Sequence, residues 1–81
     1  MREFVATFHT HLIALMTSRA LTDAGFAARM APVPRKLSSS CGTCVFYSAP
    51  DVHQELLDED TERVYAVEEE QFVLVLELEE L

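Results

Sequence analysis

The sequence predicts one small α+β domain, a ferredoxin-like β-α-β-β-α-β antiparallel sheet with two helices on one face and an extra C-terminal strand. Three observations predict it. Short β-branched and aromatic runs recur between turn residues, one segment carries a helical period instead, and a helix-start signature stands between two of the later runs. Eighty-one residues suffice for one domain and are too few for two, so residues 1–81 form a single unit, with a core over 3–67 and an extension over 68–81.

Glu3 to Phe8 is β-branched and aromatic and ends at the polar break His9-Thr10-His11, as a first strand would. Thr10 caps the helix that follows. Over Leu12 to Ala24, the residues Ile13, Met16, Thr17, Ala20, Leu21 and Ala24 share one face, with Ser18, Arg19, Thr22 and Asp23 opposite. Gly25, free to adopt left-handed torsion angles, stops it. Phe26, Ala28 and Met30 then alternate with Ala27, Arg29 and Ala31 in a half-buried strand that Pro32 and Pro34 end.

Thr43 to Tyr47 is the third strand, and Ser48 with Pro50 and Asp51 starts a second helix through about Glu59 that turns Val52, Leu56 and Leu57 inward. Glu62 to Val67 is the fourth strand. After the acidic break Glu68 to Glu70, Phe72 to Leu78 reads as strand by alternation, although Leu74, Leu78 and Leu81 would also suit a helix. An apolar terminal strand on so small a domain needs cover, so it is expected to add to the sheet edge or to pair with a second copy in a homodimer.

Charge narrows the partners. Fourteen acidic residues against six basic ones give a formal charge of -8, which repels phosphate backbones and anionic lipid, so neither nucleic acid nor membrane is expected as a partner. Met1-Arg2-Glu3-Phe4 does not open a secretory signal, and no window reaches the roughly 18 apolar residues of a membrane span. A cytoplasmic protein is expected. The acidic runs Asp58 to Glu62, Glu68 to Glu70 and Glu77 to Glu80 read as solvated surface.

Only the segment from Pro32 to Cys44 has a composition that the fold does not explain. Arg35 and Lys36 are two of six cations, Ser38, Ser39 and Ser40 supply hydroxyls and amides, and Cys41 and Cys44 stand as Cys-Gly-Thr-Cys. Positive charge and backbone donors favour thiolate, which is the nucleophile. Pro34 stiffens the approach, and Gly42 leaves room beside a group carried on Cys41. A disulfide between cysteines so close would staple little of the fold, so the pair reads as reactive-site chemistry.

The string Pro-Val-Pro-Arg-(x)2-Ser-Ser-Ser-Cys-Gly, from Pro32 to Gly42, resembles the signature of the selenium/sulfur (Se/S) carrier protein-like family. The junction from Phe8 through Ala14 is similar to that family's first β-α junction, and the resemblance covers roughly residues 3 to 67. It implies a carrier related to small TusA-like domains, holding sulfur or selenium on Cys41 as a persulfide or selenopersulfide. Pro34, Arg35, Ser39, Ser40 and Gly42 would be the motif neighbours that bind the cargo. A protein donor, such as a cysteine desulfurase, and a protein acceptor would load and unload it, with no bound cofactor and more as a thiol carrier than as a turnover enzyme.

Two rivals stand beside that reading. Cys41 and Cys44 would make a thiol-redox module if Cys44 resolved a persulfide on Cys41, although Cys44 opens a strand and reads equally well as a packed, inert thiol. The chain would otherwise be a non-catalytic, dimeric interaction domain in which Cys41 is incidental. Zinc is not expected, because the cysteine pair has only His9, His11 and His53 as further ligand candidates. His9 and His11 read as solvent-facing neighbours of the cap, at a junction that such a sheet brings near a loop, and His53 as the exposed side of the second helix.

Overall fold

Arg2–Phe8 forms β1, and every residue from Phe4 to Phe8 is buried, so this strand is central and covered on both faces. The computed structural model describes residues 1–78; Glu79, Glu80 and Leu81, the end of the last acidic run and one position of the helical alternative, lie outside the described residues. After β1 come α1 (His11–Asp23), β2 (Ala27–Pro32), β3 (Thr43–Ala49), a 3-10 turn (Gln54–Leu56), β4 (Thr61–Glu68) and β5 (Gln71–Glu77). The strands make one antiparallel five-stranded sheet in the order β2-β3-β1-β4-β5.

The core lies between α1 and one face of this sheet. Phe4, Ala6 and Phe8 of β1, Val45 and Tyr47 of β3, and Val64 and Ala66 of β4 supply the sheet side, and Ala14 and Leu21 supply the helix side. Burying each of the two phenylalanines stabilises the fold by about 1.5–3 kcal/mol. Thr10 caps α1, its hydroxyl accepting from the Ile13 N–H at 3.3 Å. Gly25 follows the helix with φ at 94°.

The second predicted helix does not form. Between β3 and β4 the chain makes only the turn Gln54–Leu56, so the sheet carries one helix and not the two of the expected ferredoxin-like split. Local bonds explain the loss. The Tyr47 hydroxyl donates to the Val52 carbonyl at 2.7 Å, and the buried phenol's pKa is pushed far above its usual range, first by burial and then by Asp51 and Glu55. His53 takes φ at 52° and sets its ring 4.7 Å from Phe26, half-buried where an exposed helical face was expected. Val52, Leu56 and Leu57 still pack against the core. A nine-residue helix gains too little from its own hydrogen bonds to displace these contacts.

That absence also changes α1. Met16, expected on the core face, is 50% exposed, and Ala24 is exposed too; the buried stripe is Ala14, Thr17 and Leu21. Met16 instead lines a groove with Leu56 and Leu57, where a full helix would have covered it.

β5 adds to the sheet edge beside β4, through a two-residue connection in which Glu69 and Glu70 both have positive φ, 48° and 66°. Two bulges shape β4 and β5. Thr7 pairs with Arg63 and Phe8 with Thr61, so Glu62 is an extra residue on β4; Val64 pairs with Leu76 and Tyr65 with Leu74, so Val75 is an extra residue on β5.

Candidate functional site

The ends of β1 and β2 meet the starts of β3, β4 and α1 at one end of the sheet, because β1 runs antiparallel to both β3 and β4. The β2–β3 connection, residues 33–42, crosses this end. Its mouth is closed by Val33 N–H donating to the Gly42 carbonyl at 3.1 Å, and Leu37 N–H donates to the Pro34 carbonyl at 3.0 Å. The second bond defines a β-turn with Arg35 and Lys36, both exposed, at its corners. Gly42 has φ at 74° with open space around its α-carbon, so glycine is needed there for conformation and not for clearance.

Ser39 and Ser40 tie the connection down. The Ser39 hydroxyl lies 2.9 Å from the Phe8 carbonyl and 3.1 Å from Glu62 Oε1, and its one proton can go to either. Ser40 donates its N–H to Glu62 Oε1 at 3.0 Å and its hydroxyl to Oε2 at 2.8 Å. Burial raises the affinity of Glu62 for a proton. The Ser40 N–H, the Ser40 and Ser39 hydroxyls and His9 together outweigh it, and hold the carboxyl below the usual carboxylate range. His9 Nδ1 stands 3.6 Å from Glu62 Oε2.

Cys41 follows directly. It is half-buried, packed against the core, and free. Its N–H points to Ser39 Oγ at 3.4 Å, and its sulfur lies 3.9 Å from that oxygen and 3.5 Å from the Thr43 carbonyl, which the thiol proton can approach. Thr43 Oγ1 is 3.3 Å from His11 Nδ1 at the start of α1, beside an open groove lined by Met30, Ala31, Pro32 and Gly42. Cys41 therefore sits on a braced loop, partly exposed.

Cys44 differs in burial and in reactivity. It lies in β3 opposite Thr7 and Ala31, fully buried, with its sulfur 3.7 Å from the Pro32 carbonyl. Burial pushes its pKa up to about 11 against the opposing charge of Arg29, so it stays a thiol at neutral pH.

The structure thus gathers Ser39, Ser40, Cys41 and Gly42 at one place, with Pro34 at the start of the turn. Among the described residues, no hydrogen bond or ion pair joins Arg35 or Lys36 to Cys41; Lys36 lines a separate cleft with Leu37, Ser38, Tyr65, Gln71 and Phe72. No three or more His, Cys, Asp or Glu side chains converge as a metal site among the described residues. Glu62 is the residue that sequence reasoning missed. It closes an acidic run that reads as solvated surface, and the bulge that redirects it leaves no pattern in the sequence. His9 and His11 were placed at the right junction, but their partners, Glu62 and Thr43, were not foreseen.

A family model described as "Putative Se/S carrier protein-like" matches residues 3–77, which takes in β5 as well as the loop. Uncharacterized protein YtiA of Escherichia coli (strain K12) is 36% identical over 50 residues, an alignment covering 62% of this chain and 59% of that protein. The chain therefore spans less than two thirds of that relative's length. No solved structure matches.

Proposed function

The chain belongs to the Se/S carrier protein-like family, and from that premise we propose that it carries sulfane sulfur, or selenium in the same oxidation state, on Cys41. The observation that supports this most is the contrast within Cys-x-x-Cys: Cys41 is half-exposed on a braced loop, and Cys44 is sealed in β3. A carrier needs one accessible thiol and no neighbour that strips the cargo. Cys44 is a packing residue in this reading, which disfavours a two-cysteine redox module.

Loading is an exchange. The Cys41 thiolate attacks the outer sulfur of a persulfide on a donor protein, the new S–S bond forms, and the donor's own thiolate leaves, so no external oxidant is needed. Unloading repeats the step with an acceptor thiolate attacking the outer sulfur and Cys41 leaving. In this reading the Ser39 hydroxyl, 3.9 Å from the sulfur, turns to it as its charge changes. Pro34, Arg35 and Gly42 shape the loop around it. Donor and acceptor are proteins, and the proposed compartment is the cytoplasm, where thiols are kept reduced; among the described residues no helix is long and apolar enough to cross a membrane.

The test is intact mass under non-reducing conditions, after incubation with a persulfide donor or with selenide and a mild oxidant. Added sulfur or selenium on the parent and none on Cys41→Ser is expected; equal adducts on both, or none on either, would sink the proposal.

β5 supports a further element of this reading, a homodimer. Val73, Leu74 and Val75 are 42%, 49% and 41% exposed on an edge strand, an apolar ladder open to a second copy. Sedimentation of the parent as a dimer and of Leu74→Lys as a monomer is expected; a monomeric parent at working concentration would remove the idea.

A further inference from the structure

We propose, resting on the carrier reading, that Glu62 is a positioning residue that latches the Cys41 loop and so shelters its cargo from stray thiols. A persulfide is open to attack by any thiolate that reaches its outer sulfur, so retention depends on how Cys41 is held as much as on its own reactivity. Two independent features of the fold assign the holding to Glu62. The first is the bulge: the extra residue on β4 falls at Glu62, and bulges next to functional sites re-aim side chains. The second is the bonding. Glu62 has a side chain only 15% exposed, and its two oxygens accept both donors of Ser40 and face the Ser39 hydroxyl, the two residues that precede Cys41.

The geometry also separates positioning from proton transfer. A path runs from the Cys41 sulfur to Ser39 Oγ and on to Glu62 Oε1, which would suit a general base. A carboxyl held below its usual range is too weak a base to take a thiol's proton, and the 3.9 Å separation of sulfur and hydroxyl is long. Holding the loop is what the arrangement does. Losing a charge-assisted tether of this kind raises the open population of the loop about tenfold or more.

Cys44 supplies an internal reference, since it is fully buried where Cys41 is half-buried. The experiment alkylates the intact protein with iodoacetamide and measures the rate at each cysteine separately, in the parent, Glu62→Ala, Glu62→Gln, Ser39→Ala/Ser40→Ala and the triple variant. A latch predicts that Glu62→Ala speeds labelling of Cys41 about tenfold, with Cys44 still much slower than Cys41. Glu62→Gln, which keeps an acceptor for the Ser40 N–H, should stay within about threefold of the parent. The serine double variant, which keeps the backbone N–H of residue 40 on Glu62, should fall between the parent and Glu62→Ala, and the triple variant should lie close to Glu62→Ala. Cys41-bound persulfide, formed on the same proteins, should be lost to reduced glutathione in the same rank order.

Unchanged labelling in Glu62→Ala would overturn the inference. So would Cys44 reaching the rate of Cys41, which marks global loosening, or Glu62→Gln matching Glu62→Ala, which marks charge alone. If the parent takes up no sulfur, the carrier reading fails by itself, and the alkylation rates still decide whether Glu62 is the latch.

Discussion

The two ends of β4 carry the same residue type in opposite situations. At the start, Glu62 is drawn into the protein by a bulge and accepts hydrogen bonds from Ser39 and Ser40. At the other end, Glu68, Glu69 and Glu70 are exposed, and the last two hold left-handed backbone conformations that suit Asn or Gly. A carboxylate's contribution thus depends on the donors that face it and on the backbone beneath it, and acidic residues close together in the chain differ in both. The end of the sheet that carries the Cys41 loop is the end with the braced carboxylate.

The largest effect is expected at that braced end. Glu62→Ala leaves the Ser40 N–H and hydroxyl without their acceptor and should cost about 1–3 kcal/mol in urea unfolding, against a change within about 0.5 kcal/mol for Glu68→Ala. Equal effects would erase the distinction between the two ends. Next is the turn itself, where Glu69→Asn with Glu70→Gly should stabilise the protein by about 1–2 kcal/mol, read as a higher melting temperature, by relieving left-handed strain and like charge. A fall in melting temperature would mean that those glutamates make a contribution which their exposure conceals.

A smaller gain is expected beside the bulge. Thr61 is buried, and its hydroxyl has no hydrogen-bond partner among the described residues, so Thr61→Val, of similar shape, should stabilise by about 1 kcal/mol in the same unfolding assay. Destabilisation would show that the hydroxyl is satisfied by bound water. The smallest effect is a slope with pH. The carboxyl of Glu62 titrates lower in the folded chain than its ordinary 4.5, so its contribution is present above that value and lost as pH falls through the folded value. As pH falls below 4.5 the parent should lose stability more steeply than Glu62→Gln, and parallel profiles would argue that the latch carries no charge-dependent strength.

Much of the sheet was legible along the chain. Glu3 to Phe8, Thr43 to Tyr47 and Glu62 to Val67 are β-branched or aromatic runs between turn residues, and Thr10 and Gly25 bound α1, because these signals are local and need no tertiary partner. The second helix was misread since Val52, Leu56 and Leu57 have helical spacing, yet a bond from the Tyr47 hydroxyl and the packing of His53 on Phe26 decided the segment otherwise. The site divides in the same way. Cys41, Ser39, Ser40 and Gly42 stand together in the loop and could be read there, whereas Glu62, 22 residues beyond Ser40, could not.

By itself, then, the sequence determined a small acidic α+β chain, where its strands and one helix fall along the chain, and the loop that bears Cys41. Each of these follows from periodicity, turn chemistry or composition within a few residues. Only the tertiary structure decided that Cys44 is sealed and Cys41 is not, that one helix covers the sheet, and that Glu62 braces the loop. Burial, register and a bulge belong to the pairing of distant segments, and pairing is written in no single stretch of the chain.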